Sequence, residues 1–421
     1  MLKATTQLLA ALLFCSLFLS GCWIKAVNQP GGGNNNNPDT TAIFKDVSSS
    51  KLPSDELNGT SSAARAADID GDGDLDLVVA IKNGPNKILI NDGHGNFIDE
   101  STRRLPNDNQ QNPNTTDVVV ADFNNDGYPD LFFTSQNNGG SEYFLNNGDG
   151  TFKNVSNRIP SVGNSNTAVA VDVNNDGSKD LVIGNNGPNV ILINNGHGFF
   201  TDQTGARMPQ VNGITEDIET GDINQNGNPD LLIANEKGNR ILINTGKGYF
   251  IDDSQSRLPP NESIEETRDA ALGDVNGDGS LDIYFANVIL SQSGNSARDQ
   301  LLINHQGRFT DVTNSQLPTD NINTTDADFV DIDHDGDNDI IAGGYDSQTN
   351  PTGSYSGNNI ARVLINNGSG YFSDKTQTYF PKDFAPPATD FVVADFNGDG
   401  LDDIYVANYK HRDVLLFHRK K

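Results

Sequence analysis

Polar and apolar positions in this chain alternate in blocks rather than residue by residue. A nine-residue stretch of mostly Asp, Asn and Gly gives way to an unbroken apolar run, as in "ADFNNDGYPDLFF" (121–133). A second signature follows each run, seen as "LINDGHGNFID" (89–99) and "LINNGHGFFTD" (192–202), where an apolar strand, an Asn-x-Gly-x-Gly turn and a Phe-x-Asp strand succeed one another. Turn residues between two short apolar segments predict a hairpin. The continuous apolar runs fit strands covered on both faces.

The polar block occurs seven times: "DIDGDGDLD" (68–76), "DFNNDGYPD" (122–130), "DVNNDGSKD" (172–180), "DINQNGNPD" (222–230), "DVNGDGSLD" (274–282), "DIDHDGDND" (331–339) and "DFNGDGLDD" (395–403). Each repeat yields about four short strands, and four antiparallel strands repeated seven times predict an all-β, seven-bladed β-propeller over residues 42–421. The chain ends predict how the ring closes. "VLLFH" (414–418) begins the second signature and stops before its last strand, while "IFKDVS" (43–48) is an orphan copy of that strand. The N-terminal strand should therefore complete the last blade and leave no open sheet edges.

Within each nine-residue loop, positions 1, 3, 5 and 9 are only Asp or Asn, and position 6 is Gly. They are Asp68, Asp70, Asp72 and Asp76; Asp122, Asn124, Asp126 and Asp130; Asp172, Asn174, Asp176 and Asp180; and Asp222, Asn224, Asn226 and Asp230. The last three loops carry Asp274, Asn276, Asp278 and Asp282; Asp331, Asp333, Asp335 and Asp339; and Asp395, Asn397, Asp399 and Asp403. Position 7 is unrestricted (Asp74, Tyr128, Ser178, Asn228, Ser280, Asp337, Leu401), as expected of a residue that contributes only its backbone carbonyl. Hard oxygen ligands at alternate positions, with Gly at the sharp turn, describe a Ca²⁺ loop, so up to seven ions are expected. An EF-hand is excluded because the position of its last glutamate holds Val79, Phe133, Ile183, Ile233, Phe285, Ala342 and Val406. Asn226 leaves the fourth loop with two carboxylates, and that site should be the weakest.

These residues resemble the FG-GAP/VCBS repeat family, whose members include the integrin α-subunit propeller, fungal lectins and polysaccharide-acting proteins. The resemblance covers residues 42–418. It implies Ca²⁺ between the first and second strands of every blade, on one face of the disc.

Composition narrows the partners. With 57 acidic against 28 basic residues and a net charge of -29, nucleic acid and anionic membrane surfaces are excluded as primary partners, and cations are favoured. Residues 1–21, with Lys3 ahead of "LLAALLFCSLFLSG", read as a signal peptide. Its end, "LSGC", resembles the lipobox of bacterial lipoproteins, which makes Cys22 a lipid-bearing first residue and residues 22–41 a flexible tether. Cys15 would leave with the signal, so no disulfide is expected in the mature chain. The expected protein is an extracytoplasmic, membrane-anchored binding or adhesion module for a glycan or protein, the alternative being a polysaccharide-acting lyase or hydrolase.

Departures from the repeat point to ligand-binding candidates. Insertions at 288–300 and 343–362 fall between second and third strands, on the face opposite the polar loops. Tyr345, Asp346, Tyr355, Tyr379, Phe380, Phe384 and Arg298 lie in these or adjacent connections and are candidates to stack on and hydrogen-bond a glycan. A second series, Asp117, Asp217, Asp269, Asp326 and Asp390, broken by Ala63 and Thr167, sits five residues before each loop and is expected at a mouth of the central channel. Arg104, Arg158, Arg207 and Arg257 are candidates to pair with it. Glu265 and Glu266, near Asp269, are the acid/base candidates for an enzyme.

Overall fold

The computed structural model describes residues 41–54, 60–106, 114–136, 140–210, 213–260, 266–288, 298–319, 322–346 and 359–420. Residues 1–40, which hold the expected signal peptide, Cys22 and nearly all of the expected tether, lie outside them with Tyr355, Glu265 and most of both insertions, as do the side chains of Tyr345 and Asp346.

Seven four-stranded antiparallel sheets form the described chain. Their innermost strands are Ser61–Ala67, Thr115–Ala121, Ser165–Val171, Thr215–Gly221, Glu266–Gly273, Ile322–Val330 and Ala388–Ala394, in blades 1 to 7. Each innermost strand packs against the next, and Ala388–Ala394 packs against Ser61–Ala67, so the ring is closed. The closing blade is built as the chain ends predict. Phe44 pairs with His418, Lys45 with Phe417 and Asp46 with Leu416.

The unbroken apolar runs become the second strand of every blade, for example Leu131–Ser135 within Asp130–Ser135, and all residues of that strand are buried in blades 1 to 5 and 7. A sheet sandwiched between two neighbours has no wet face, which is why these strands do not alternate. The core is accordingly seven interblade layers. One joins Leu77, Val79 and Leu89 of blade 1 to Phe396, Tyr405 and Leu415 of blade 7, and the next places Ile69, Val78 and Ile88 of blade 1 against Val118, Leu131 and Phe144 of blade 2.

Polar latches reinforce each layer. The register of each innermost strand shifts at its third residue or next to it, creating a bulge. At this point Asp390 accepts the N–H of Ala64 (2.7 Å), Asp117 that of Ala168 (3.1 Å), Asp269 that of Ala327 (3.0 Å) and Asp326 that of Phe391 (3.0 Å), each in the following blade. The broken places in the series now have a reason. After Ala63, the N–H of Val118 bonds instead to Asp117 beside it, and the Thr167 hydroxyl donates to Asp117 (3.3 Å) and Asp217 (3.4 Å).

The arginines do not join this ring, which corrects the expected pairing. They lie on the loop face and reach the hairpin turn of the next blade. Arg104 donates to the Asp149 carbonyl (3.1 Å), Arg158 to His197 (3.4 Å) and Arg257 to Gly307 (2.6 Å), and Arg207 donates to Lys247. Lys51 serves blade 7 by donating to the His94 carbonyl (2.9 Å). Among the described residues, the cation paired with this ring is Arg65, which meets Asp390 (2.8 Å) and Asp117 (3.1 Å).

Candidate functional site: the aspartate loops

Every loop is folded by its own side chains. The position-1 Asp bends the chain by accepting N–H groups ahead of it, as Asp122 does from Asp126 (3.1 Å) and Gly127 (2.8 Å). The position-5 side chain then accepts the N–H of position 7, as Asp126 does from Tyr128 (3.0 Å). Position 6 needs a left-handed backbone, with φ between 83° at Gly227 and 96° at Gly73. Position 4 is left-handed as well, at Asn125, Asn175, Gln225 and His334 besides Gly71, Gly277 and Gly398.

Position 9 is the anchor. Asp76, Asp130, Asp180, Asp230, Asp282, Asp339 and Asp403 are each 0% exposed. One oxygen accepts the N–H of loop position 2, for instance Phe123 to Asp130 at 3.0 Å, and the other accepts the N–H of the Asn that opens the hairpin turn, Asn146 at 2.9 Å. Burial pushes these carboxyls upward, to about 7 for Asp76, Asp130, Asp180, Asp339 and Asp403 and about 6 for Asp230 and Asp282, against the opposing pull of those N–H donors.

The same turn Asn ties each loop to its neighbour. Its side-chain amide donates to the position-2 carbonyl of the preceding blade: Asn91 to Phe396 (2.8 Å), Asn146 to Ile69 (2.9 Å), Asn194 to Phe123 (2.7 Å), Asn244 to Val173 (2.8 Å), Asn304 to Ile223 (3.1 Å) and Asn366 to Val275 (2.8 Å). His418 holds the equivalent place in blade 7. Asn244 is 0% exposed, so truncation to Ala strands a buried carbonyl. Asn244→Ala should cost about 3 kcal/mol, read from the denaturant midpoint; a loss below about 0.5 kcal/mol would remove the latch from the account.

The donor set fits a hard cation on two observations. In the first loop, ligand oxygens of Asp68, Asp70 and Asp76 lie within 4.8 Å of one another, and Asp331, Asp333 and Asp339 do the same in the sixth. In addition, the position-3 oxygens Asp70 Oδ1, Asn174 Oδ1 and Asn224 Oδ1 are buried without a hydrogen-bond partner among the described residues, as is Asp337 Oδ1 at position 7. Such oxygens are costly unless something binds them. Asp70 is also held from outside by Arg104, which is 4% exposed and meets its other oxygen at 2.8 Å. In the fourth loop the Asn226 amide donates to the Asn244 carbonyl (3.3 Å), so only Asp222 and Asp230 bring negative charge.

The glycan-stacking candidates fare differently. Tyr379 and Phe380 are 6% and 2% exposed and belong to the core between blades 6 and 7, where both rings flank Phe44. Phe384 lies on Phe380, with ring centroids 4.7 Å apart. Tyr379 and Phe380 are packing residues because Tyr379-Phe380-Pro381 occupies the repeat position of Arg104-Leu105-Pro106, whose Leu is also core, and Phe384 packs, partly buried, against the same cluster. The Arg298 guanidinium is engaged with Asn314 and the Thr313 carbonyl.

One carboxylate-rich, hydrogen-bonded loop per blade, seven blades in a closed ring: this architecture defines a loop-bearing β-propeller. The FG-GAP-like repeat model matches residues 68–133, 122–182, 172–233, 222–285 and 352–406, more than half of the chain, and the protein belongs to that family. No curated protein matches it. Among solved structures, the chain is similar to BBS1N crystallised in complex with ARL6DN, at 10% identity and a TM-score of 0.53 over 90% of this chain and 98% of that one. It is also similar to the extracellular domain of the putative one-component system BT4673 of B. thetaiotaomicron, at 11% identity and a TM-score of 0.53 over 90% of this chain and 40% of that one. An Agrocybe aegerita lectin, described as recognising non-reducing terminal N-acetylglucosamine, matches at 18% identity and a TM-score of 0.48 over 77% and 82% of the two chains.

Proposed function

We propose that this protein is a calcium-stabilised binding or adhesion module, held outside the cytoplasm by a lipid on Cys22 and recognising a glycan or protein. The observation that carries the calcium reading is the set of buried, unpartnered oxygens at position 3 beside the carboxylates of positions 1, 5 and 9. The side chains of positions 1, 3, 5 and 9, with the carbonyl of position 7, would hold each ion, which supplies charge neutralisation and cross-links the ends of the loop. Position 9 would then transmit that order outward, because it also fixes the turn Asn that grips the preceding blade.

A closed ring of blades suits a binding scaffold, and the similar BBS1N was crystallised in complex with ARL6DN. A glycan array and a protein pull-down, each run with Ca²⁺ and with chelator, test this reading together with product analysis of every hit. Calcium-dependent capture without conversion supports a binding module. Conversion of a captured polysaccharide would replace it with the enzyme reading, and anchoring fails if Cys22→Ser leaves the protein in the membrane fraction.

A further inference from the structure

The residue six positions before each aspartate loop, at the bulge of the innermost strand, shows what this position does when its role is only structural. Its side chain donates to a backbone carbonyl of the next blade: Ser62 to Thr115 (2.9 Å), Thr116 to Ser165 (2.9 Å), Asn166 to Thr215 (2.8 Å), Thr325 to Ala388 (3.1 Å) and Thr389 to Ser61 (2.8 Å). Blades 4 and 5 break the pattern with Glu216 and Arg268. An ionised carboxylate accepts only, so Glu216 cannot make this latch, and it meets Arg268 at 3.3 Å instead.

Two more glutamates converge there. Glu236 directly follows the second strand of blade 4 (Asp230–Asn235), and Glu266 opens the innermost strand of blade 5. One carboxylate oxygen from each of Glu216, Glu236 and Glu266 lies within 4.8 Å of the others. Glu266 is 4% exposed; Arg268 stands against its Oε1, while Oε2 accepts no hydrogen bond among the described residues. A buried carboxylate oxygen without a hydrogen-bond donor, on a residue that lies beside two further carboxylates, is unfavourable as it stands. The three carboxylates outnumber the nearby cations, Arg268 and the Lys82 ammonium that acts on Glu216, and a divalent cation would neutralise the excess.

We infer that Glu216, Glu236 and Glu266 form a divalent-cation site between blades 4 and 5, on the face opposite the aspartate loops and independent of them, with Arg268 as a positioning residue for two of the three carboxylates. The all-carboxylate donor set, with neither imidazole nor thiolate, selects a hard ion of the Ca²⁺, Mg²⁺ or Mn²⁺ class.

Mn²⁺ is the probe, used on the full-length chain. Equilibrium dialysis at saturating Mn²⁺ should give one bound ion fewer in Glu236→Gln and in Glu266→Gln than in the wild type. Melting separates a cation site from a structural ion pair. In chelator, Glu266→Gln should melt at or above the wild type because a buried like-charge contact is gone; on adding Mn²⁺ the wild type should gain several degrees more than the variant. Equal ion counts in the wild type and both variants would overturn the site. So would a Glu266→Gln deficit of the same size with and without Mn²⁺, since that marks loss of the Arg268 contact alone. Glu236 is only half-buried, so its variant carries the count if Glu266→Gln does not fold.

Discussion

Stripping divalent metal from the protein at pH 8 should lower its melting temperature by on the order of 10 °C or more, and the same treatment at pH 5 should lower it much less. If each loop is saturated about tenfold above its Kd, each ion contributes about 1.4 kcal/mol, and seven together about 10 kcal/mol. That is comparable to the whole stability of an ordinary domain. The pH dependence follows from position 9. Without metal, Asp76, Asp130, Asp180, Asp339 and Asp403 sit near 7, well above the ordinary carboxyl value near 4. A carboxyl raised on folding binds more protons in the native than in the unfolded state between those values, so the metal-free protein loses stability as pH rises from about 4 to about 7. On the calcium reading, the ion would compete with those protons and bind the ionised loops. Its stabilisation therefore grows over the same interval. Differential scanning calorimetry with and without chelator at both pH values checks this; a melt at pH 8 indifferent to chelator, or a larger effect at pH 5, would end the structural-calcium reading.

Why the loops and blades were legible, and the latches only partly so, has a physical reason. Loop folding is local: Asp122 bonds Asp126 and Gly127 within five residues, so the pattern needed to build the turn is written in the turn itself. Closure was also legible, because an incomplete hairpin at one end and its missing strand at the other require each other. The arginine latch was not. Arg158 finds its partner 39 residues on, in the turn of the next blade, and nothing beside Arg158 says whether it points to the channel or to the rim. The turn Asn was recognised as a hairpin signal, yet its amide works across the interface, 71 residues from Phe123 in the case of Asn194. Tyr379 shows where the sequence was under-used. Aligning "TYFP" with "RRLP" and "SRLP" places it in the repeat frame, where the following apolar residue is core. Tyr379 and Phe380 suggested a ligand face only because they were read outside that frame.

In calcium-saturated protein the channel should be the pH-sensitive element, with stability falling between about pH 5 and 8 and Arg65→Ala most damaging at the upper end. Arg65 is the guanidinium against which Asp390 and Asp117 are ion-paired, and Asp217, Glu219, Asp269, Asp326 and Asp328 share the same surroundings. Burial first, and then mutual repulsion, pushes the carboxyls of Asp217, Glu219, Asp269, Asp326 and Asp328 upward, reaching about 7 at Asp217 and Asp328. Asp390 is raised by burial too, while Arg65 pulls it the other way. These carboxyls favour folding while protonated and oppose it once ionised, so their contribution is lost as pH climbs from about 4 through about 7. At pH 5 most are neutral and Arg65 has little to balance; at pH 8 it is the nearest compensation for charges held close together in a narrow space. Its side chain is 44% exposed, so solvent screening holds the cost of Arg65→Ala to about 1–3 kcal/mol at pH 8, below that of breaking a fully buried pair. Adding Asp328→Asn to Arg65→Ala should recover part of that loss at pH 8 and almost none at pH 5, because the amide removes a charge present only at the higher pH. Urea midpoints for the wild type, the single variants and the double variant at both pH values form the test. An Arg65→Ala cost that is the same at pH 5 and pH 8 would mean that the channel carboxylates titrate together in the folded and unfolded chain, and that hydrogen bonds of the Asp390-to-Ala64 kind hold the ring without help from charge balance.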